Sequence, residues 1–349
     1  MKRYLVGLSG GADSAYAAML LKKAGYAVEG AYLKMFETAD ATAAERTARE
    51  LDIPFHLVDC TALFEEKVLS HFAKSYKMGL TPNPCVECNR HVKIRELCRY
   101  AREQGFDRVV TGHYGSIGKT EEGRYYVKRA GNEKKDQSYV LWGLCQEDLA
   151  LLDLPLSDAE KEELRLALLR EGVAAHSAKD SMDICFLPEG NYAEFVKLRL
   201  GDCPPGRFID ENGRELGTHK GILHYTVGQR KHLGIALGRP VFVSRIDPVA
   251  NTVTLVPSGT EYGKRARVRG LSFQSLAPRR EGSLSSLTVK MRYGQAPVPV
   301  TVCFEKDGAE LFFEEPVRAV TPGQSAVFYE GERLAFGGYI VPLDDETQV

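Results

Sequence analysis

Three stretches of this 349-residue chain hold residue types that do chemistry. The first is Gly7-Leu8-Ser9-Gly10-Gly11-Ala12-Asp13-Ser14. A glycine–serine turn between an apolar run and a helix start gathers unpaired backbone N–H groups and the positive end of a helix dipole. Its glycines let backbone approach closely, so the turn suits an anion such as a phosphate. It has no Gly-Lys-Ser/Thr to hold β- and γ-phosphates as a P-loop does, and no G-x-G-x-x-G of a dinucleotide fold. The plainer alternative is an ordinary tight strand–helix turn. The second stretch is Asn83-Pro84-Cys85-Val86-Glu87-Cys88-Asn89. A Cys-x-x-Cys pair beside a helix N-terminus reads as half a zinc site, a redox pair or sulfur chemistry; no second Cys-x-x-Cys completes a structural zinc site. The third holds Cys185, in Lys179-Asp180-Ser181-Met182-Asp183-Ile184-Cys185-Phe186. Taken alone, that cysteine reads as a small buried hydrophobe.

The elements that must position these groups follow from periodicity. Residues 5–8 read as a buried strand and 14–24 as a helix closed by Gly25. A strand over 27–33, a helix over 41–51, a strand over 55–58 and a helix over 61–76 come next. This alternation predicts an α/β fold, a doubly wound parallel-sheet nucleotide-binding domain with ligands at the carboxyl ends of its strands. Leu33, ending the second strand, is then a wall for an adenine ring or a plain core leucine. Two prolines predict an extended loop over 79–88, with Asn89 capping a helix over 91–104. Residues 108–111 read as a strand running into Thr111-Gly112-His113-Tyr114. Gly112 there lets backbone approach a nucleotide, and a lone His113 is structural by default. Residues 125–129 and Lys134-Lys135-Asp136-Gln137 read as a basic, exposed stretch ahead of an apolar helix around 139–144. Residues 157–170 read as an amphipathic helix with Ser157 as its cap.

From about Gly201, glycine and proline become frequent and short β-type runs replace helical periodicity. The chain therefore divides into 1–195, a nucleotide-binding domain; 196–262, a small central domain; and 263–349, a C-terminal β-barrel. Residues 263–280 (GKRARVRGLSFQSLAPRR) hold six basic residues and no acid, the strongest local candidate for a phosphate-backbone contact.

Composition bounds the possibilities. With 44% hydrophobic and 27% charged residues the chain suits a soluble protein of two or three domains. No apolar run approaches the roughly 20 residues of a membrane span, and the four-residue run near the start is too short for a signal peptide, which predicts a cytoplasmic protein without a membrane partner. Eight cysteines over this length are thiols, ligands or catalysts rather than a disulfide scaffold. A formal charge of −1 gives no global field for nucleic acid, so local patches must supply it.

Several stretches agree, in order, with one family. The loop Gly7 to Ser14 resembles the S-G-G-x-D-S pyrophosphate loop of enzymes that split ATP between its α- and β-phosphates. With T-P-N-P-C-V-E-C-N, T-G-H-Y, K-D-Q-S-Y, K-D-S-M-D-I-C-F, Y-T-V-G-Q-R-K, M-R-Y and A-V-T-P-G-Q, the chain resembles the tRNA-specific 2-thiouridylases over nearly its whole length. The resemblance implies ATP-dependent thiolation of a wobble uridine in the tRNA anticodon stem-loop. It places ATP on Gly7, Leu8, Ser9, Gly10, Gly11, Ala12, Asp13, Ser14, Leu33 and Gly112, with Asp13 helping to hold Mg2+. It implies a persulfide on Cys185, delivered by a relay protein or cysteine desulfurase, with Cys88 acting on it and the two able to form a disulfide. It places tRNA on Asn83, Pro84, Cys85, His113, Lys135, Asp136, Gln137, Arg292, Tyr293 and Gln324.

One departure bears on mechanism. Many family members carry Asp where this chain has Cys85, and the three thiols Cys85, Cys88 and Cys185 are together candidate ligands of a 4Fe–4S cluster. Gly294 after Arg292-Tyr293 and Ala12 in the loop are milder variants. Two other readings stand beside the thiolase: another pyrophosphate-loop enzyme adenylating a small molecule, and a non-catalytic RNA-binding iron–sulfur module. The first gives the cysteine loops no task; the second leaves the pyrophosphate loop unexplained.

Overall fold

The computed structural model describes residues 1–178, 184–187, 191–318 and 320–343. Its first layer is a five-stranded parallel sheet in the order Phe55–Asp59, Ala27–Lys34, Arg3–Gly7, Arg108–Val110, Leu152–Asp153. Leu5 and Val6 are fully buried because helices cover both faces, which is why the strand reads as an unbroken apolar run. Strand order reverses between Arg3–Gly7 and its neighbour Arg108–Val110. The crevice beyond that switch point is where doubly wound sheets bind ligands, and both the loop after Gly7 and Thr111-Gly112-His113 open into it.

Helix Ala12–Lys23 begins two residues earlier than periodicity suggests, directly on the glycine turn, and ends before Gly25, which takes φ +82°. A larger correction concerns the cysteine loop. The chain is helical from Pro84 through Glu103, as Pro84–Cys88, a π-type turn Asn89–Lys93 and Ile94–Glu103. Asn83 is the cap, accepting from the Cys85 N–H at 3.1 Å, and Pro84 takes the first helical position, where its missing N–H costs nothing. Asn89 is not a cap; it lies buried inside the helix and donates to the Val140 carbonyl at 3.1 Å.

The stretch expected to be basic and exposed is so only in part: Lys128 and Lys134 are exposed and 131–137 is irregular. Tyr125–Lys128 is a strand that extends the C-terminal sheet beside Arg333, and Tyr126 and Val127 are buried. Residues 138–141 form one 3-10 turn, Ser138–Leu141, that plants Tyr139, Leu141 and Trp142 in the interior. Helix Lys161–Arg170 starts at Lys161 rather than after Ser157, because 155–158 form a turn.

The central sheet runs Val241–Asp247, Thr252–Pro257, Gly206–Ile209, Glu215–His219, and shares a core with helix Ser70–Lys77 through Phe72, Ala73 and Tyr76. The last unit is a closed six-stranded barrel: Tyr262–Phe273, Gly308–Arg318, Val298–Glu305, Leu284–Lys290, Ser325–Glu330 and Arg333–Val341, which pairs back to the first. Closure leaves no free edge among these six strands, and alternation fills the interior with Val268, Val302, Leu311, Phe328 and Phe336. Among the described residues no helix is long and apolar enough to cross a membrane.

Candidate active site

The turn after Gly7 is built for a close approach. Gly10 sits at φ +80°, and a Cβ there would stand 2.8 Å from the Ala43 Cβ. Ser9 and Ser14 tie the turn together: the Ser14 hydroxyl donates to the Gly11 carbonyl at 3.0 Å and accepts from the Ser9 N–H at 3.2 Å. The first-turn N–H groups of helix Ala12–Lys23 have no intrahelical acceptor and carry the positive end of its dipole. Leu8 and Ala12 are buried and serve the core, so any contact they make with a ligand is through backbone.

Glycine is required at two further positions for packing reasons. A Cβ on Gly7 would meet Leu97 at 2.8 Å, and one on Gly112 would meet the Ser14 nitrogen at 2.8 Å. Gly112 therefore lets the end of the fourth strand lie against the phosphate turn itself. Leu33 is 7% exposed and packs with Val58, Phe64 and Val86, which favours its core reading over a wall for adenine.

Asp13 is the acid of the turn, and the structure gives it partners that sequence did not suggest. Lys161 donates to both carboxylate oxygens, at 2.7 and 2.8 Å, and the Tyr114 hydroxyl donates to Oδ1 at 2.8 Å. Neither residue stood out as functional in the sequence. A lone lysine opening an amphipathic helix reads as solvated, and the one signal was its sign: a cation at a helix N-terminus opposes the dipole.

The thiols lie beyond the strand ends, and burial governs them. Cys88 is 7% exposed with its sulfur 3.7 Å from that of Met35. Burial pushes its thiol up to about 11, with Lys93 opposing and Cys185 and Cys85 adding to the rise. The Cys85 and Cys185 residues are exposed, yet their sulfurs sit in a crowded hollow where desolvation again raises both thiols and Lys93 again opposes. The expected reactive thiolate is thus a thiol at neutral pH. Lys93, on the π-type turn, is the one cation that acts on all three, a residue the sequence reading passed over. His113 is driven down to about 3, first by burial and then by Lys93, so its ring is neutral; Nδ1 lies 2.8 Å from the Thr111 hydroxyl.

The three cysteines do not form a ligand set. Among the described residues no three His, Cys, Asp or Glu side chains converge as a metal site, and all eight cysteines are free. Cys85 and Cys88 stand one turn apart on the same helix, close enough to each other and to Cys185 that Cys85 and Cys185 both raise the Cys88 thiol and Cys85 raises that of Cys185, and Cys88 rests its sulfur on that of Met35. All three thiols are free, with no disulfide between Cys88 and Cys185. Lys179 to Asp183, the first half of the Cys185 motif, lie outside the described residues.

Residues expected at tRNA come together from both ends of the chain. The Thr81 N–H donates to Pro322 at 2.9 Å and Gln324 donates to the Thr81 carbonyl at 2.8 Å, so the barrel clamps the segment leading to Asn83 and buried Pro84. Tyr293 is 45% exposed, packs edge-on against Tyr139, and has its hydroxyl pushed up by burial, then by Asp136 and Cys85. Arg292 holds the Val227 carbonyl at 3.2 Å and the Thr321 hydroxyl at 2.5 Å, tying the barrel to the central domain.

Two members of Lys135-Asp136-Gln137 have other work. Asp136 is 3% exposed; it accepts from the N–H groups of Ala130 and Ser138 and lies 3.7 Å from Lys290 of the barrel, so its carboxylate joins two domains. Gln137 accepts from the Tyr114 N–H at 3.0 Å. Lys135 keeps a buried ammonium without a hydrogen-bond partner, 5.2 Å from the centre of the Tyr114 ring. Three arginines of 263–280 are also engaged: Arg265 pairs with Glu310, and Arg267 and Arg269 with Glu305. That offsets half of the positive charge expected to hold phosphate backbone and leaves Lys264, Arg279 and Arg280.

Comparison with known proteins matches this architecture unit by unit. Residues 2–189 match the family described as tRNA methyl transferase HUP domain, 193–257 the tRNA methyl transferase PRC-barrel domain, and 266–340 the Aminomethyltransferase beta-barrel domain. The chain is 39% identical over 355 residues to the tRNA-specific 2-thiouridylase MnmA of Clostridioides difficile, covering 97% of this chain and 98% of that one. It is 38% identical over 359 residues to the protein of that name from Lachnoclostridium phytofermentans, covering 98% and 100%.

Proposed function

The chain belongs to the family of tRNA-specific 2-thiouridylases, sulfurtransferases acting on tRNA uridine, and from that premise we propose how its own residues carry out the reaction. The observation that carries the proposal is the placing, beyond the carboxyl ends of one parallel sheet, of a turn suited to phosphates with Asp13 and a hollow containing Cys85, Cys88 and Cys185 around Lys93. A uracil carbonyl oxygen is a poor leaving group. Attack of that oxygen on the α-phosphorus of ATP breaks the α–β bond, releases pyrophosphate, and leaves AMP on the base.

The turn Gly7 to Ser14 binds the phosphates through backbone N–H groups. Asp13 offers the single carboxylate that a magnesium ion held mainly by phosphates requires, and that ion, when bound, draws electron density from the phosphates. Sulfur then arrives as a persulfide on Cys185, from a relay protein or cysteine desulfurase. Its outer sulfur attacks carbon 2 and AMP departs with the bonding pair. Cys88 then attacks the Cys185 sulfur, leaving one sulfur on the base and closing a disulfide, which an external dithiol reduces. Lys93 lowers the cost of the thiolate at each stage, and neutral His113 is suited to hydrogen bonding with the base. The steps written here use the three thiols alone, since in this structure they do not stand as a metal-ligand set.

An unpaired wobble base suits this hollow, since the base must leave its stack to reach the thiols. Residues 1–195 would bind ATP and carry the thiols, 263–349 would meet tRNA, 196–262 would link them, and the protein would act in the cytoplasm. Methyl transfer, the word in two of the matched family descriptions, leaves the phosphate turn and the thiols without a task. Nucleoside analysis of wobble uridines in cells lacking the gene tests the reading: 2-thiouridine should disappear, and an unchanged level would overturn it.

A further inference from the structure

Asp13 poses an electrostatic problem for the site just described. It places a carboxylate inside a turn shaped to receive phosphates, whose charge has the same sign. Lys161 answers it, with its ammonium on both carboxylate oxygens while only 15% of the lysine side chain is exposed. The position is costly for a lysine. Lys161 is the first residue of the ten-residue helix Lys161–Arg170, whose cap Glu160 makes no side-chain capping bond, and helix N-termini favour anions. Helices Ala12–Lys23 and Lys161–Arg170 pack together through Ala15, Ala18, Leu164 and Leu168, so both positive helix ends lie within one lysine side chain of Asp13.

A second, independent observation that suits an anion lies alongside. The Tyr114 hydroxyl binds Asp13, and over the Tyr114 ring stands the buried, unpartnered ammonium of Lys135. A buried cation without an acceptor is unfavourable unless a ligand supplies one.

The geometry points to Lys161 as a nucleotide-phosphate ligand that exchanges partners: with no ligand it covers Asp13, and when a divalent cation takes the carboxylate it moves to the β- and γ-phosphates. This rests on the reading of Gly7 to Ser14 as an ATP site and adds a residue to it. The exchange keeps each charge paired. Asp13 passes from lysine to metal, and the lysine passes from carboxylate to the pyrophosphate that will leave.

The test is equilibrium nucleotide binding, separate from thiolation. Lys161→Ala should weaken ATP and inorganic pyrophosphate at least tenfold while AMP binding stays within twofold. Lys161→Arg should recover most of the ATP affinity. In magnesium-free buffer Asp13→Asn should bind ATP several-fold more tightly than the unaltered chain, because it releases Lys161 from that carboxylate and removes a like charge. Adding Lys161→Ala to Asp13→Asn should abolish that gain. Equal ATP affinity in Lys161→Ala and the unaltered protein overturns the inference, as does a parallel loss of AMP and ATP. If the unaltered chain binds no ATP at all, the reading of the turn fails and this inference with it.

Discussion

The hydroxyl of Tyr339, on the last strand of the barrel, donates to the Glu87 carboxylate at 2.5 Å, and Glu87 immediately precedes Cys88. Glu87 is 5% exposed, with His91 3.5 Å away. Arg90 donates to the same Tyr339 oxygen at 3.2 Å and lies over the Trp142 ring. The helix bearing two of the three thiols is therefore fixed to the unit that also carries Arg292, Tyr293 and Gln324. Tyr339→Phe should leave a buried carboxylate short of a donor and cost about 1–3 kcal/mol of stability, read by urea denaturation. ATP affinity should stay near its starting value while single-turnover thiolation falls. Equal losses in both would mean the pair supports the fold alone.

The thiols give a pH dependence with a definite sign. Burial raises all three, Cys88 to about 11, so the reactive thiolate becomes more abundant as pH rises. Under single-turnover conditions the thiol-dependent step should accelerate about tenfold per pH unit from pH 7 toward 9. Lys93→Met removes the one cation that lowers all three, so it should slow the step at pH 7 and recover with alkali. Rates that are flat from pH 7 to 9 in both proteins would show that thiol ionisation does not limit the reaction. His113, driven down to about 3, should add no titration near pH 6.5.

The parallel sheet was readable because strands buried on both faces must be apolar throughout, as at Leu5 and Val6. The start of the cysteine helix was not. Pro82 and Pro84 look alike in sequence, but Pro82 belongs to the extended approach and Pro84 opens the helix. Long-range pairing hid the rest. Arg265 meets Glu310 across 45 positions, and Lys161 meets Asp13 across 148, distances at which no local pattern marks a partner. The glycines at 7 and 112 looked like ligand-facing residues, whereas the contacts they avoid are with Leu97 and with Ser14.

Those pairings relocate the RNA electrostatics. Charge reversal at Arg265 would set two negative groups together within the barrel wall, so it should lower stability more than it alters RNA affinity. The exposed residues Arg230 and Arg239, which line a 640 Å³ hollow of the central domain, and Lys231 beside Arg230 have no ion pair among the described residues. Each of these that contacts a phosphate should, when changed to Ala, reduce the salt slope of tRNA affinity by about one unit. Titrating tRNA binding at several salt concentrations measures it. A slope unchanged in the triple variant would leave Lys264, Arg279 and Arg280 as the carriers.

Cys85 separates two chemistries. As a cluster ligand it would resist replacement, because a hard carboxylate is a poor substitute for a thiolate. As the second residue of a helix capped by Asn83, it stands where the helix dipole stabilises an anion by about 0.3–1 kcal/mol. Since the three thiols do not converge, Cys85→Asp should keep thiolation with a persulfide donor within a few-fold of the unaltered chain. Cys88→Ser and Cys185→Ser should each abolish it. Cys185→Ser should still form AMP and pyrophosphate in a tRNA-dependent way, because the adenylating turn lies elsewhere. Protein purified without oxygen, assayed for iron and then for activity in the presence of a chelator, gives the decisive comparison. Stoichiometric iron, with activity lost on chelation and in Cys85→Asp, would require the thiols to move together into a ligand set that this structure does not contain.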